Sequence, residues 1–383
     1  MSTSVREVPA DPAVLMHSIL KRIATGPELS KDISREEACA GMRLVLDGRI
    51  DPVQAGVFLI ALRMKRETDD ENLGVLDAIR EATRSAAAPV DEVVDIGDPY
   101  DGYNRTLPAS PFLPPVLAAC GVAAVSHGVE RMGPKYGVTH RQVLNAAGLP
   151  VDLGTEEAAA RVGDPGIGWA YIDQKAFCPK LHDLAALRAL IVKRPAITTV
   201  EVLARPVRGR LKTHIVTGYV HKPYPRIYAL LARHAGFDSA LLVRGVEGGV
   251  IPSLTHTGKV FRYRDRGEEW SEEFKPADLG IAQPVRAPRV PGGPADEVAD
   301  AGPALDNSAV AKAAAEAGYA ALAGQPGPTR DSLVYGAALC LWHLGLHDSL
   351  RSAADAVRGV LDRGKAMERL RRMLESCGLP ASL

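Results

Sequence analysis

The chain has few cysteines and nothing that pairs them. Cys39, Cys120, Cys178, Cys340 and Cys377 are five in 383 residues, scattered, with no CxxC. That excludes a disulfide-stapled secreted scaffold and suits a reduced cytosolic protein. Charge of one sign is also missing. Lys plus Arg is 46 and Asp plus Glu is 46, so no global field draws the chain to nucleic acid or to a membrane surface. Any nucleic-acid contact has to be a local patch. No apolar run reaches the roughly 20 residues that span a bilayer. The opening MSTSVREVPADP has no apolar signal core. These absences predict a cytoplasmic protein with no membrane contact. No internal repeat is visible. The length allows a large core and two domains.

Residues 12–85 read as helices only. Ser34 with Glu37 forms a capping box opening a helix through Leu46, which Gly48 ends. Asp51 caps the next helix, with Pro52 at its first position, and Ala55, Phe58, Leu59 and Leu62 share one face. Thr68 with Glu71 is a second capping box. From Val93 the texture changes. VVDIG and VAAVSHG read as strands around a helix capped by Ser110, begun by Pro111 and ending near Cys120. Residues 174–190 read as helical. HIVTGYV and SALLVRGVEG are strands separated by the helix 225–235, and helices continue to Leu374. The Pro- and Gly-rich stretch 285–306 is expected to be a surface loop. The fold class is therefore α/β: a small all-helical domain plus a larger α/β domain with a mostly parallel central sheet flanked by helices. The expected division is 1–88 for the helical domain, with 172–200 packing onto it, and 89–171 with 201–383 for the α/β domain.

SREEACAGMRLVLDGRIDPVQAGVFLIALRMKRET, DIGDPYDGYNRT, SHGVERMGPKYG and FCPKLHDLAALRALIVKRPAITTVEVLARP together carry a resemblance over roughly residues 15–375. The chain resembles the anthranilate phosphoribosyltransferases and their fold relatives, the pyrimidine nucleoside phosphorylases. The resemblance implies a ligand cleft between the domains, a homodimer through the helical domain, and displacement of pyrophosphate from a phosphorylated ribose. That chemistry needs N–H donors, cations and Mg²⁺ around the phosphates. The family's first loop, GTGGDG, is here Gly97 followed by Asp98, Pro99, Tyr100, Asp101 and Gly102; Pro99 offers no N–H and the two acids would repel phosphate. Asn104 and Thr106 match the NxST element that follows, with Arg105 adding a cation. In the second loop, KHGN becomes SHGV: His127 and Gly128 persist, Ser126 replaces a lysine, Glu130 replaces an arginine, and Lys135 could supply the missing charge. Gly97, Asn104, Arg105, Thr106 and Lys135 are thus the expected phosphate-binding set. His127, His182, Arg188 and Arg194 fall on the acceptor side. The alternative for Arg188 is a helix-surface ion pair, and for His127 a satisfied structural histidine.

The family's adjacent Asp–Glu pair, which holds Mg²⁺, is replaced by Val250 and Ile251, with Glu247 the only acid nearby. Apolar side chains cannot ligate Mg²⁺. No metal site or cofactor is expected, and the expected activity is transferase-like without the standard Mg²⁺-assisted step. The alternative is a non-catalytic nucleic-acid binder, because YDGYNR and RGVEGG resemble the loops of such a branch and Arg205, Arg208, Arg210 and Lys212 form a short basic loop. The expected partner is a phosphorylated small molecule or a nucleic-acid backbone. His343 and His347 stand four apart, but no third metal ligand is evident, so a structural role is expected. Trp169 and Tyr171 are expected near the hinge.

Overall fold

The computed structural model describes residues 11–26, 28–291 and 306–380. Most of the Pro- and Gly-rich loop, and residues 1–10 of the N-terminal segment, therefore lie outside the described residues. The described residues begin with four helices: α1 Pro12–Ile23, α2 Arg35–Leu46, α3 Pro52–Lys65 and α4 Asp69–Ala82. Their starts follow the capping chemistry written in the sequence. Ser34 accepts from the Glu37 N–H and Glu37 reaches back, Asp51 accepts from the Val53 N–H, and Thr68 pairs with Glu71. Glu71 does more than cap. It is fully buried, accepts from the Ile33 N–H at 3.0 Å and meets Lys65 Nζ at 2.8 Å. Gly74 lets α4 lie against α2, since a Cβ there would stand 2.2 Å from the Arg35 carbonyl oxygen.

Among the described residues nine strands follow: β1 Ala86–Ala87, β2 Glu92–Gly97, β3 Ala124–Gly128, β4 Trp169–Asp173, β5 Val207–Arg208, β6 Lys212–Gly218, β7 Ser239–Val243, β8 Gly258–Tyr263 and β9 Trp270–Phe274. β1 pairs with β5 alone. The other seven form one sheet in the order β4-β3-β2-β6-β7-β8-β9, parallel as far as β7 and antiparallel from there to β9. Helices 113–119, 155–163 and 224–235 pack on β3, β4 and β7. The parallel strands are buried along most of their length, as a sheet covered on both faces requires. Residues 185–191 pack on α3, and 197–200 on α4, so the helical domain and the sheet share this segment as a seam.

Several expectations need correction. Residues 174–190 are three short helices, 174–177, 179–182 and 185–191; the first break falls where Pro179 lacks an N–H and Cys178 before it leaves the helical region, at φ −142° and ψ 68°. Ser110 opens a 3₁₀ turn rather than capping a helix; its hydroxyl is spent on Asp98 at 2.8 Å. Trp169 and Tyr171 lie on the edge strand β4. The antiparallel hairpin β8–β9 gave no signal, since its strands carry charges. Arg262 explains why they tolerate them: it is sandwiched against Trp342 and Trp270 and paired with Glu272 at 2.6 Å. His347 lies beyond the helix 328–343 that ends at His343, so the two do not share a helix face.

His343 is instead buried beneath the sheet. Its Nε2 meets Ser239 Oγ at 2.9 Å, Ser239 Oγ meets His214 Nδ1 at 2.7 Å, and His214 Nε2 meets Glu92 at 3.1 Å. Burial lowers the His343 pKa well below 6.5, and the charges of Arg262, His214 and Arg264 lower it further. Burial lowers that of His214 too, outweighing Glu92. The unfolded imidazoles accept protons that the folded ones refuse. Their contribution to stability is therefore complete above pH 6.5 and is lost as pH falls below it. Urea unfolding at pH 5.5 should give a free energy on the order of 1–2 kcal/mol below that at pH 7.5. His343→Gln should flatten that slope.

Candidate ligand cleft at the switch point of the sheet

From β2 the chain winds outward to β3 and β4, then returns to lay β6 and β7 on the other side of β2. The strand order reverses between β2 and β6, and the loops leaving their C-terminal ends diverge there. Open α/β sheets take ligands at that place. A cavity of about 340 Å³ occupies it. Gly97 and Thr217–Gly218, the last residues of β2 and β6, form its floor. Asp101 and Lys135 come from the loops after β2 and β3, and Glu247 and Gly248 from the loop after β7. The seam adds Arg188, Arg194, Thr198, Thr199 and Glu201, and α3 adds Arg63. Tyr219, His221, Tyr224 and Tyr228 make an aromatic side. The buried Tyr219 hydroxyl, in this lining, has no hydrogen-bond partner among the described residues.

The cations of the cleft already have partners. Arg188 grips Glu201 through two hydrogen bonds of 2.7 and 2.8 Å, with both side chains almost wholly buried. Arg194 meets Asp101 at 2.5 Å, and Lys135 meets the same carboxylate at 3.3 Å. Arg63 donates to Tyr224, Thr199 and the Pro195 carbonyl, and pairs with Glu67 at 3.1 Å. Of the predicted phosphate set, Gly97 and Lys135 line the cavity. Asn104, Arg105 and Thr106 are not in its wall, yet they do converge on an anion. The Asn104 N–H donates to Glu247 Oε2 at 2.9 Å, and the Arg105 N–H and Thr106 hydroxyl donate to Oε1 at 3.0 and 2.9 Å. Lys135 Nζ donates to the Glu247 carbonyl at 3.2 Å. In the sequence Glu247 stands out only as the one acid near Val250 and Ile251.

On the acceptor side, Arg188 and Arg194 reach the cavity, but Arg188 is a buried pair and not a surface one. His127 is a correction: it is buried below the cleft and lines none of it. Its Nε2 lies 2.8 Å from Asp95 Oδ1 and its Nδ1 lies 2.6 Å from the Tyr100 hydroxyl. Burial, with Glu201 and Asp95, raises the Tyr100 pKa well above 10. With its ring proton on Nε2, His127 accepts at Nδ1 the hydrogen bond of the protonated Tyr100 hydroxyl; Nε2 itself stands at ion-pair distance from Asp95 without hydrogen-bond alignment. Tyr100 itself lines the cavity. His182 likewise stands outside the lining, near Asp173. Asp98 does not face the ligand space. It is buried, accepts from the Tyr103 and Ser110 hydroxyls and the Val250 N–H, and meets His140 Nε2 at 3.0 Å. Burial alone would raise its pKa; the charge and hydrogen bond of His140, with those from Tyr103 and Ser110, win and hold it below the usual value. In the basic loop, Arg205 is turned inward onto the Gly236 carbonyl, Arg210 pairs with Asp91 and Lys212 with Asp265, while Arg208 is exposed. Acids on the same surface thus accompany this patch.

Comparison with known proteins meets the same two-part architecture. Residues 17–83 match the glycosyl transferase family, helical bundle domain, and residues 97–367 match the glycosyl transferase family, a/b domain. The chain belongs to this glycosyl transferase family. It is 29% identical to an uncharacterized protein of Aquifex aeolicus over 270 residues, 70% of this chain and 80% of that one. It is 28% identical to the anthranilate phosphoribosyltransferase of Methylocella silvestris over 370 residues, 96% and 97% of the two chains. The fold matches that of anthranilate phosphoribosyltransferase from Saccharomyces cerevisiae in complex with PRPP and Mg, with a TM-score of 0.71 at 14% identity, covering 95% of this chain and 98% of that one. The chain is thus a phosphoribosyltransferase-like family member. Among the described residues no helix is long and apolar enough to cross a membrane.

The Arg188–Glu201 pair gives a direct test of the seam. Arg188→Ala leaves a buried carboxylate unpaired and should lower the unfolding free energy by about 3 kcal/mol or more. Arg188→Met with Glu201→Leu should recover most of that loss. Equal stability of Arg188→Ala and wild type in urea melts would show the pair to be inert.

Proposed function

We propose that this chain binds a phosphorylated ribose, or a related anion, in the cleft between its helical domain and its sheet. The observation that carries the reading is the convergence of anion-holding groups at the switch point. Two backbone N–H groups and a hydroxyl from residues 104–106 already hold a carboxylate there, beside Lys135 and Arg194. The aromatic side suits the flat partner of a ribose: the Tyr224 and Tyr228 rings lie 6.0 Å apart, with His221 6.3 Å from Tyr224. Full-length similarity to anthranilate phosphoribosyltransferases supports a transferase of this class.

The residues present do not fit the Mg²⁺ that accompanies PRPP in the yeast structure. Val250 and Ile251 offer no oxygen from their side chains, and the Val250 N–H is fixed on Asp98. The carboxylates left in the cleft, Asp101, Glu201 and Glu247, are each engaged by cations or by N–H groups of the chain itself. The chain therefore handles its ligand without a metal-assisted step.

Phosphoribosyl pyrophosphate should raise the melting temperature by a few degrees when in about hundredfold excess over its Kd, with or without Mg²⁺. Lys135→Ala and Arg194→Ala should each shrink the shift. If neither phosphoribosyl pyrophosphate, ribose 5-phosphate nor inorganic phosphate moves the melt, the proposal is wrong.

A homodimer through the helical domain belongs to the same reading. Val53, Val57, Ile60 and Met64 recur at intervals of three and four along α3, and Val53 and Met64 are 73% and 72% exposed. Leu190 and Val192, at the end of the segment packed on α3, are exposed as well. Such a stripe needs a cover, and a second copy of the chain supplies one with the same stripe. Light scattering should give twice the 40.7 kDa chain mass. Met64→Asp with Val53→Asp should halve it; a monomeric wild type would end the idea.

A further inference from the structure

The most unusual occupant of the cleft is a side chain of the protein. We infer that Glu247 is the resident anion of an oxyanion subsite built by residues 104–106, and that it determines which ligand enters: a phosphoryl group binds there by displacing this carboxylate. The inference rests on the proposed reading of the cleft as an anion site and goes further by naming the residue that guards it.

The donors are arranged as for an external ligand. Two successive backbone N–H groups and the Thr106 hydroxyl point to one place, at distances of 2.9–3.0 Å. A phosphoryl group presents its oxygens to three such donors as readily as a carboxylate does. The subsite is also reachable, for Asn104 and Arg105 are exposed and Glu247 itself lines the cavity.

The backbone that delivers Glu247 is fixed. Gly248 and Gly249 close a turn through their N–H groups onto Gly245 and Val246, and the Val246 N–H binds the Ile251 carbonyl. Gly218 and Gly245 admit this turn; a Cβ on either would stand 2.0 Å from the Gly248 oxygen and 1.7 Å from the Gly249 oxygen. Lys135 holds the Glu247 carbonyl. Glu247 sits at φ 53°, ψ 19°, a left-handed conformation unfavourable for a residue with a Cβ and easy for glycine. A mere turn would be better made with glycine here. The side chain is therefore present for its carboxylate, and the turn keeps its place when that carboxylate rotates about its own χ angles into the cavity.

The test uses the full chain, with inorganic phosphate and pyrophosphate titrated calorimetrically into wild type, Glu247→Gly and Glu247→Gln. Glu247→Gly suits the backbone and vacates the subsite. It should bind phosphate about tenfold tighter or better, since charge-assisted hydrogen bonds no longer compete. Glu247→Gln, which keeps the shape without the charge, should gain less. Adding Thr106→Val to Glu247→Gly should remove the gain. Should wild type bind phosphoribosyl pyrophosphate while neither Glu247 variant gains affinity for phosphate, the displaced-anion role is overturned and the function stands. Should no form bind any of these anions, both fall together.

Discussion

The cleft depends on one buried carboxylate that stands outside its lining. Asp98 follows the last residue of β2 and gathers the Tyr103 and Ser110 hydroxyls, the Val250 N–H and the His140 imidazole. Those partners come from the loop after β2, the turn that opens the next helix, the helix after β3 and the loop after β7. A buried charge with four donors is stable only if each stays in place, so the carboxylate fixes the loops relative to one another. The positions of Asn104–Thr106 on one side and of Glu247 on the other follow from that knot. Loss of any one partner would loosen the same assembly, which is why the first loop can depart from a glycine-rich phosphate turn and still be rigid.

The cleft shows a second regularity, in its charges. Arg188 faces Glu201, Arg194 and Lys135 face Asp101, and the donors of residues 104–106 face Glu247. Desolvated cations without anions are costly, so a cleft with an empty positive wall would be a burden to the unliganded fold. Internal carboxylates relieve that cost. They also set a condition on binding, because an incoming anion gains only the difference between its own contacts and those it replaces. The buried Arg188–Glu201 pair is too enclosed to be traded in this way. Arg194 with its half-exposed guanidinium, and Glu247 at the rim, are the groups that can be.

Much of the fold was legible because it is written locally. The capping boxes of α2 and α4, the Asp51–Pro52 start of α3 and the helix 224–235 after its strand all rest on contacts within a few residues. β2, β3, β6 and β7 announced themselves as apolar runs with a glycine at or just past the end, whereas the parallel edge strand β4, which ends at Asp173, carried no such mark. β8 and β9 carried none either, because Arg262 is made acceptable by Trp270 and Glu272 across the hairpin and by Trp342 from the distant helix 328–343. The site divided along the same line. Resemblance pointed to Lys135, Arg188 and Arg194, which do reach the cavity. It misplaced His127 and His182, whose neighbours Asp95, Tyr100 and Asp173 could not be known to surround them.

Glu247 is the sharpest case. Its role depends on donors about 140 residues away in sequence, so no window of sequence could reveal it. The only local signal was a single acid between glycines, where Val250 and Ile251 replace carboxylates. Chemistry joins these facts. A cation-binding pair placed three and four residues onward would draw an anion and its metal into the cleft together. Under the proposed function, with that pair apolar, a phosphoryl group would be met by N–H, hydroxyl and ammonium groups alone, and the strength of those donors, unlike a metal's, is limited by how well they are aligned. Holding them aligned around a carboxylate keeps the subsite preorganised when no ligand is bound. The same side chain that resists a ligand thereby preserves the geometry that a ligand needs.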